Sequence, residues 1–141
     1  MLLDVNVLVN AHRKDAPHHA SLREWVEDLV NGNQAYGVAD IVLSGFLRIV
    51  THPAIFNPPS AMVDALEFCK EVRESPNCMA VNPGPRHWEI FVQLCRETGV
   101  KGNLVPDAFL AAFAIESGSE WITTDRDYSR FPNLRWRHPL R

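Results

Sequence analysis

A small α/β domain, a mostly parallel sheet with helices on both faces, is the fold class this sequence predicts. Three observations carry that expectation. The chain has 141 residues, which suits a single domain spanning 1–141. Short apolar runs alternate with longer stretches of 3.6-residue periodicity. The strand-like runs are separated by enough chain for helical crossovers, which is the spacing of parallel pairing.

The elements follow in order. Residues 1–5 read as a first strand that passes straight into a short helix ending at Asn10 or His12. Residues 18–31 form a helix with Leu22, Trp25, Val26, Leu29 and Val30 on one face, stopped by Asn31-Gly32-Asn33. Residues 36–39 are a second strand. Residues 40–50 are apolar at Ile41, Leu43, Phe46, Leu47 and Val50, and this segment ends before Pro53. Proline-rich 53–59 is a surface loop exposing Ile55 and Phe56. Ser60 caps a helix that buries Met62, Ala65, Leu66, Cys69 and Val72. Residues 79–81 are a short strand, and Asn82-Pro83-Gly84-Pro85 is a turn. Trp88, Phe91, Val92 and Cys95 mark an amphipathic helix stopped at Gly99, with Trp88, like Trp25, in the core. Pro106 takes a first helical position in a helix that runs to about Ser117, where Gly118 ends it. Residues 121–123 are a strand and 134–136 a last one.

Composition narrows the function. Apolar residues are 46% and charged residues 22%, the mix of a soluble globular protein. Cys69, Cys78 and Cys95 are odd in number, widely spaced and without a C-x-x-C pair. They read as reduced thiols in a cytoplasmic setting, against a zinc knuckle or a disulfide scaffold. No apolar run reaches the roughly 18 residues of a membrane span, and the opening Met1-Leu2-Leu3-Asp4 lacks the basic start of a signal peptide. A net charge of −3 does not advertise a polyanion partner. Residues 126–141 nevertheless carry Arg126, Arg130, Arg135, Arg137 and Arg141 against the single acid Asp127, which permits one.

Three aspartates hold equivalent places in this scheme. Asp4 lies where an apolar strand hands over to an apolar helix, Asp107 follows Pro106 at a helix start, and Asp125 follows the strand 121–123 with Asp127 two residues on. Each has an ordinary explanation: a cap from Asp4 or Asn6, a dipole partner in Asp107, an Asx turn at Asp125. Together they point elsewhere. Strand exits and helix starts share one edge of a parallel sheet, and at the topological switch point they line a crevice. Carboxylates crowded there without cations repel, and a divalent ion relieves that repulsion. Oxygen-only ligands suit Mg²⁺ or Mn²⁺, which activates water and stabilises a phosphoryl transition state.

Other residues offer less chemistry. The six histidines have neither H-E-x-x-H spacing nor a cysteine partner, and Ser44 and Thr124 lack a His–acid relay.

Leu3-Asp4-Val5-Asn6-Val7-Leu8, Val105-Pro106-Asp107-Ala108 and Ile122-Thr123-Thr124-Asp125-Arg126-Asp127-Tyr128-Ser129-Arg130-Phe131-Pro132 resemble the PIN-domain ribonucleases. The likeness is greatest to VapC-type toxins of bacterial toxin–antitoxin pairs. Phe46-Leu47-Arg48-Ile49-Val50-Thr51-His52-Pro53 and Leu134-Arg135-Trp136 are similar to one VapC subgroup. The resemblance runs the whole chain in order. It implies a PIN-like fold and a Mg²⁺-dependent endoribonuclease, with Mn²⁺ as the alternative ion. Asp4, Asp107 and Asp125 are then the catalytic and metal-binding acids, with Asp127 a further ligand. The substrate is then a tRNA anticodon or a ribosomal loop; charge and position, rather than the resemblance, single out Arg48, Arg126 and Arg130 as RNA contacts. A small antitoxin protein and a second copy in a homodimer are the implied protein partners.

One departure stands out. Many PIN domains carry a glutamate in a Ser-Glu-Phe-Leu-like stretch, where this chain reads Ser44-Gly45-Phe46-Leu47. Asp40, five residues upstream, lies on another helical face. The gap keeps open a catalytically weak RNA- or protein-binding scaffold. A phosphatase of the haloacid-dehalogenase type is a third reading, from the faint D-x-D echo at Asp4, but Asn6 replaces its second acid.

Overall fold

The apolar pair Leu2 and Leu3 is buried on both sides, as a central strand of a parallel sheet must be. The computed structural model describes residues 1–141, and in it this strand, β1 (Leu2–Leu3), is the middle of five. It runs directly into α1 (Val5–His12), followed by α2 (His19–Asn31), β2 (Tyr36–Ala39), α3 (Asp40–Val50), α4 (Met62–Arg73) and β3 (Cys78–Val81). Then come α5 (His87–Thr98), α6 (Val105–Ser117), β4 (Trp121–Ile122) and β5 (Trp136–Arg137). The sheet order is β3-β2-β1-β4-β5, and every pairing is parallel. The chain first builds outward from β1 through β2 to β3. It then returns on the other side through β4 to β5, so the order reverses between β1 and β4. That is the position of a ligand crevice in an open parallel sheet.

Three of the five strands are only two residues long, which leaves most of the burial to helices. α1 contributes Val7, Leu8, Val9 and Ala11, α2 contributes Leu22, Val26 and Leu29, and α6 contributes Ala108, Leu110 and Ala111 through Ala114. Trp121, Tyr36, Tyr128 and Phe46 are the largest wholly buried side chains. Pro106 sits in the first turn of α6, and Gly118 ends it in the left-handed region (φ 66°), its N–H turned back to the carbonyls of Ala114 and Ile115.

The structure corrects four local expectations. Ser60 does not cap α4: Ala61 holds that position, while the Ser60 hydroxyl is taken by His12 Nε2 at 3.2 Å and Arg13 Nη1 at 3.1 Å. Met62 and Leu66 are exposed, and only Ala65, Cys69 and Val72 of the expected stripe are buried. Phe56 is not exposed; it packs against the core with the Arg13 guanidinium 4.4 Å over its ring. Trp88 is outside the core at 66% exposure, because α5 faces inward through His87 and Leu94.

Candidate active site

Asp4 is the single residue between β1 and α1, and its extended backbone (φ −84°, ψ 161°) lets its side chain cap the helix. Its Oδ1 accepts the Val5 N–H at 2.7 Å. Its Oδ2 accepts the Thr123 hydroxyl at 2.7 Å and Asn6 Nδ2 at 3.1 Å. The capping role and the crevice role therefore coincide in one side chain.

Thr123 leaves β4 at the facing strand end. Besides donating to Asp4, its Oγ1 accepts Asn6 Nδ2 at 3.1 Å and the Asp125 N–H at 3.0 Å, which fills a hydroxyl's capacity. Asp125 Oδ1 accepts the Asp127 N–H at 2.9 Å and so opens the 3₁₀ turn Arg126–Arg130. Asp107, in the first turn of α6, accepts the buried Tyr128 hydroxyl on Oδ1 at 3.4 Å. The strand exits and a helix start thus bring Asp4, Asp107 and Asp125 to one edge. Asp127 stands beside them, exposed, 3.8 Å from Arg130 Nη2.

Burial dominates the electrostatics. Asp4 is 4% exposed, and loss of hydration pushes its carboxyl up to about 6. Asp107 and Asp125 raise it further by repulsion, against the stabilising bonds from Thr123 and Val5. Asp107 is also raised, first by burial and next by Asp125, with Tyr128 and Arg130 pulling the other way. Tyr128 is held firmly as a neutral phenol by its burial and by the three carboxylates around it. None of Asp4, Asp107 and Asp125 is ion-paired.

No three acid, histidine or cysteine side chains stand at a spacing that holds one ion as they are oriented. Both Asp4 oxygens are engaged by the chain, and Asp125 Oδ1 is turned back to its own loop. The donor set itself is all oxygen, which is the chemistry of Mg²⁺ and Mn²⁺. Asp107 and Asp125 each keep one oxygen without a protein donor.

The arginines divide. Arg126 and Arg130 lie on the turn that carries Asp127, and Arg130 Nε donates to the Asp127 carbonyl at 3.0 Å. Arg126 also neighbours His138, whose imidazole is lowered by burial and then by Arg141, His18 and Arg126. Arg48 is not brought to that turn: it is exposed eight residues into α3, about 12 Å along the axis from the strand edge.

Gly45 has a packing explanation. A Cβ on it would meet Val5 Cγ2 at 3.2 Å, so α3 crosses close over the start of α1 at this position. Thr123, Tyr128 and the bonding of Asn6 were hidden in the sequence. A polar residue ending an apolar strand was the only available sign of Thr123.

A parallel sheet with acids at both strand exits of its switch point and at a facing helix start is the arrangement of a PIN domain, and the PIN domain family model matches residues 1–134. The VapC ribonuclease Mb2897 of Mycobacterium bovis is 43% identical over 140 residues, covering 99% of this chain and 95% of its own. The chain belongs to the PIN-domain family and, within it, to the VapC ribonucleases. Solved structures agree on the fold. VapBC2 from Rickettsia felis, bound to a DNA fragment from their promoter, aligns with a TM-score of 0.71 at 19% identity, over 97% of this chain and 96% of that one. A toxin–antitoxin complex from Klebsiella pneumoniae aligns at 0.59 and 19%, over 98% and 96%.

Proposed function

We propose that this chain is an endoribonuclease and the toxin of a toxin–antitoxin pair, with Asp4, Asp107 and Asp125 as its catalytic acids. The observation that carries this is the gathering of three unpaired carboxylates, two of them raised, at the switch point of a chain related throughout its length to VapC ribonucleases. Asp4, Asp107 and Asp125, with Asp127 beside them, are the residues that would hold Mg²⁺ or Mn²⁺. Such an ion, when bound, supplies Lewis-acid stabilisation of phosphoryl charge and acidifies water at the site.

The chain's own part is positional and electrostatic. Thr123 holds Asp4 Oδ2, and Tyr128 holds Asp107 Oδ1 while leaving Oδ2 open. Buried Tyr128 keeps the field of the carboxylates beside it unscreened on that side. Arg126 and Arg130 offer the RNA backbone cationic contacts beside the acids. tRNA and rRNA are the substrate classes, and a small antitoxin is the partner. The latter is supported by the toxin–antitoxin complex among the structural neighbours.

A catalytically weak RNA- or protein-binding scaffold is the second reading, favoured by Gly45 in the place of an acid. Incubating the purified protein with tRNA and rRNA separates the two. The endoribonuclease gives discrete fragments with Mg²⁺ and none with EDTA or in Asp4→Asn, and sequencing the fragment 5′ ends identifies the RNA. Retention of RNA without cleavage under every condition establishes the scaffold instead. Co-expression with the adjacent small open reading frame tests the partner, which should co-purify and relieve growth arrest.

A further inference from the structure

Asn6 is the polar side chain at this site that metal binding and substrate contact leave without a task. It sits in the first turn of α1, yet two of its three hydrogen bonds reach 117 and 118 residues along the sequence. Its Nδ2 donates to Asp4 Oδ2 and to Thr123 Oγ1, both at 3.1 Å, and its Oδ1 accepts the Thr124 N–H at 3.0 Å. One carboxamide therefore touches the first acid, the hydroxyl that holds that acid, and the backbone that leads into Asp125.

The chemistry of the residue matches its neighbours. Asp4 Oδ2 and Thr123 Oγ1 both present lone pairs, so the group between them must bring two hydrogens. The Thr124 N–H needs an acceptor from the same side chain. An amide meets both demands. An aspartate, the second acid of a D-x-D pattern, would turn oxygens toward two acceptors and add charge beside a carboxylate that burial already disfavours.

We propose that Asn6 is a positioning residue of the cleavage site: it fixes the Asp4 carboxylate and the 124–125 backbone as one unit, and so sets the spacing of the two acids across the β1–β4 switch point. This rests on the reading of the site given above. Without the carboxamide, Asp4 Oδ2 keeps one donor of two, and the backbone amide before Asp125 loses its acceptor. The acids then sample spacings that suit a shared cation less well, and groups that orient metal ligands in this way typically carry 10- to 100-fold in affinity or activity.

The test uses full-length protein as Asn6→Ala and Asn6→Ser, with Asp107→Asn as a reference for the site itself. Three quantities are read: Thr124 amide hydrogen exchange, Mn²⁺ affinity from the paramagnetic resonance of free Mn²⁺, and kcat and KM for RNA cleavage. Both Asn6 variants should keep the native amide spectrum elsewhere, exchange Thr124 faster, and bind Mn²⁺ about 10-fold or more weakly. Their kcat should fall while KM for RNA stays unchanged. Should Asn6→Ala fail to fold, Asn6→Ser carries the comparison, and loss of fold in both overturns the proposal by assigning Asn6 to the framework alone. Folded variants with wild-type Mn²⁺ affinity and kcat also overturn it. If Asp107→Asn as well binds Mn²⁺ and cleaves like wild type, the reading of the site fails rather than the role of Asn6.

Discussion

Asp4 is where burial, capping and the proposed catalytic role meet in one residue, and its charge is costly to the folded metal-free protein. Its carboxyl rises from an ordinary 3.8 to about 6 on folding, so the folded state binds the extra proton between those values. Its contribution to stability is therefore full below about pH 4 and is lost as the pH rises through about 6. The whole shift corresponds to about 3 kcal/mol. Asp4→Asn removes the charge but keeps an oxygen to cap α1. In EDTA it should melt above wild type at pH 7.5, with the gap closing near pH 4. A gap independent of pH would show that Asp4 is not buried as a strained carboxylate. The three acids themselves were legible in the sequence, because strand exits and helix starts can be placed from hydrophobic pattern alone. Thr123 and Tyr128 were not. A threonine at the end of a strand reads as a β-branched strand residue, and a tyrosine in a turn reads as packing. Their roles depend on bonds to Asp4, 119 residues away, and to Asp107, 21 residues away.

At the level of elements, every helix and strand appeared near its expected place, and the errors were of phase. Helix α5 shows why. Trp88 is the more hydrophobic choice for a core position, yet His87, Leu94 and the partly buried Ile90 and Phe91 define the inward stripe. His87 is 2% exposed, wedged against the rings of Phe109 and Phe113, and its Nε2 donates to the Phe109 carbonyl at 2.9 Å. That bond ties α5 to the helix that carries Asp107. His87→Ala should cost about 2–4 kcal/mol in urea unfolding through cavity and lost hydrogen bond. Trp88→Ala should cost less than about 1 kcal/mol, since its ring is largely in solvent. The reverse order would mean that the helix is rotated from the face described. Ser60 shows the same limit on a smaller scale: its sequence position suits a cap, but Arg13 and His12 claim its hydroxyl from across the fold.

Across the whole molecule, a net charge of −3 conceals an uneven distribution, with Asp4, Asp107 and Asp125 gathered at one sheet edge and five arginines in the C-terminal segment. Part of the arginine run is already committed. Arg137 pairs with Glu120 at 3.1 Å and Arg135 reaches the Gly118 carbonyl, so those two serve the fold. Arg126 and Arg130 are the pair beside the acids, and Arg126→Ala with Arg130→Ala should reduce the salt dependence of RNA binding by about one to two units of log–log slope. An unchanged slope would move RNA recognition to another surface. Parallel pairing followed from element spacing, whereas the strand order and the tilt of each carboxylate arise from contacts that no sequence window contains. The most direct measurement is the melting temperature with and without Mg²⁺ in wild type and Asp107→Asn. A ligand that binds only the folded state raises it by an amount that grows with the logarithm of its concentration over its Kd. Wild type should gain stability with Mg²⁺ while Asp107→Asn gains little or none; equal gains in the two proteins would contradict a shared site for Asp4, Asp107 and Asp125.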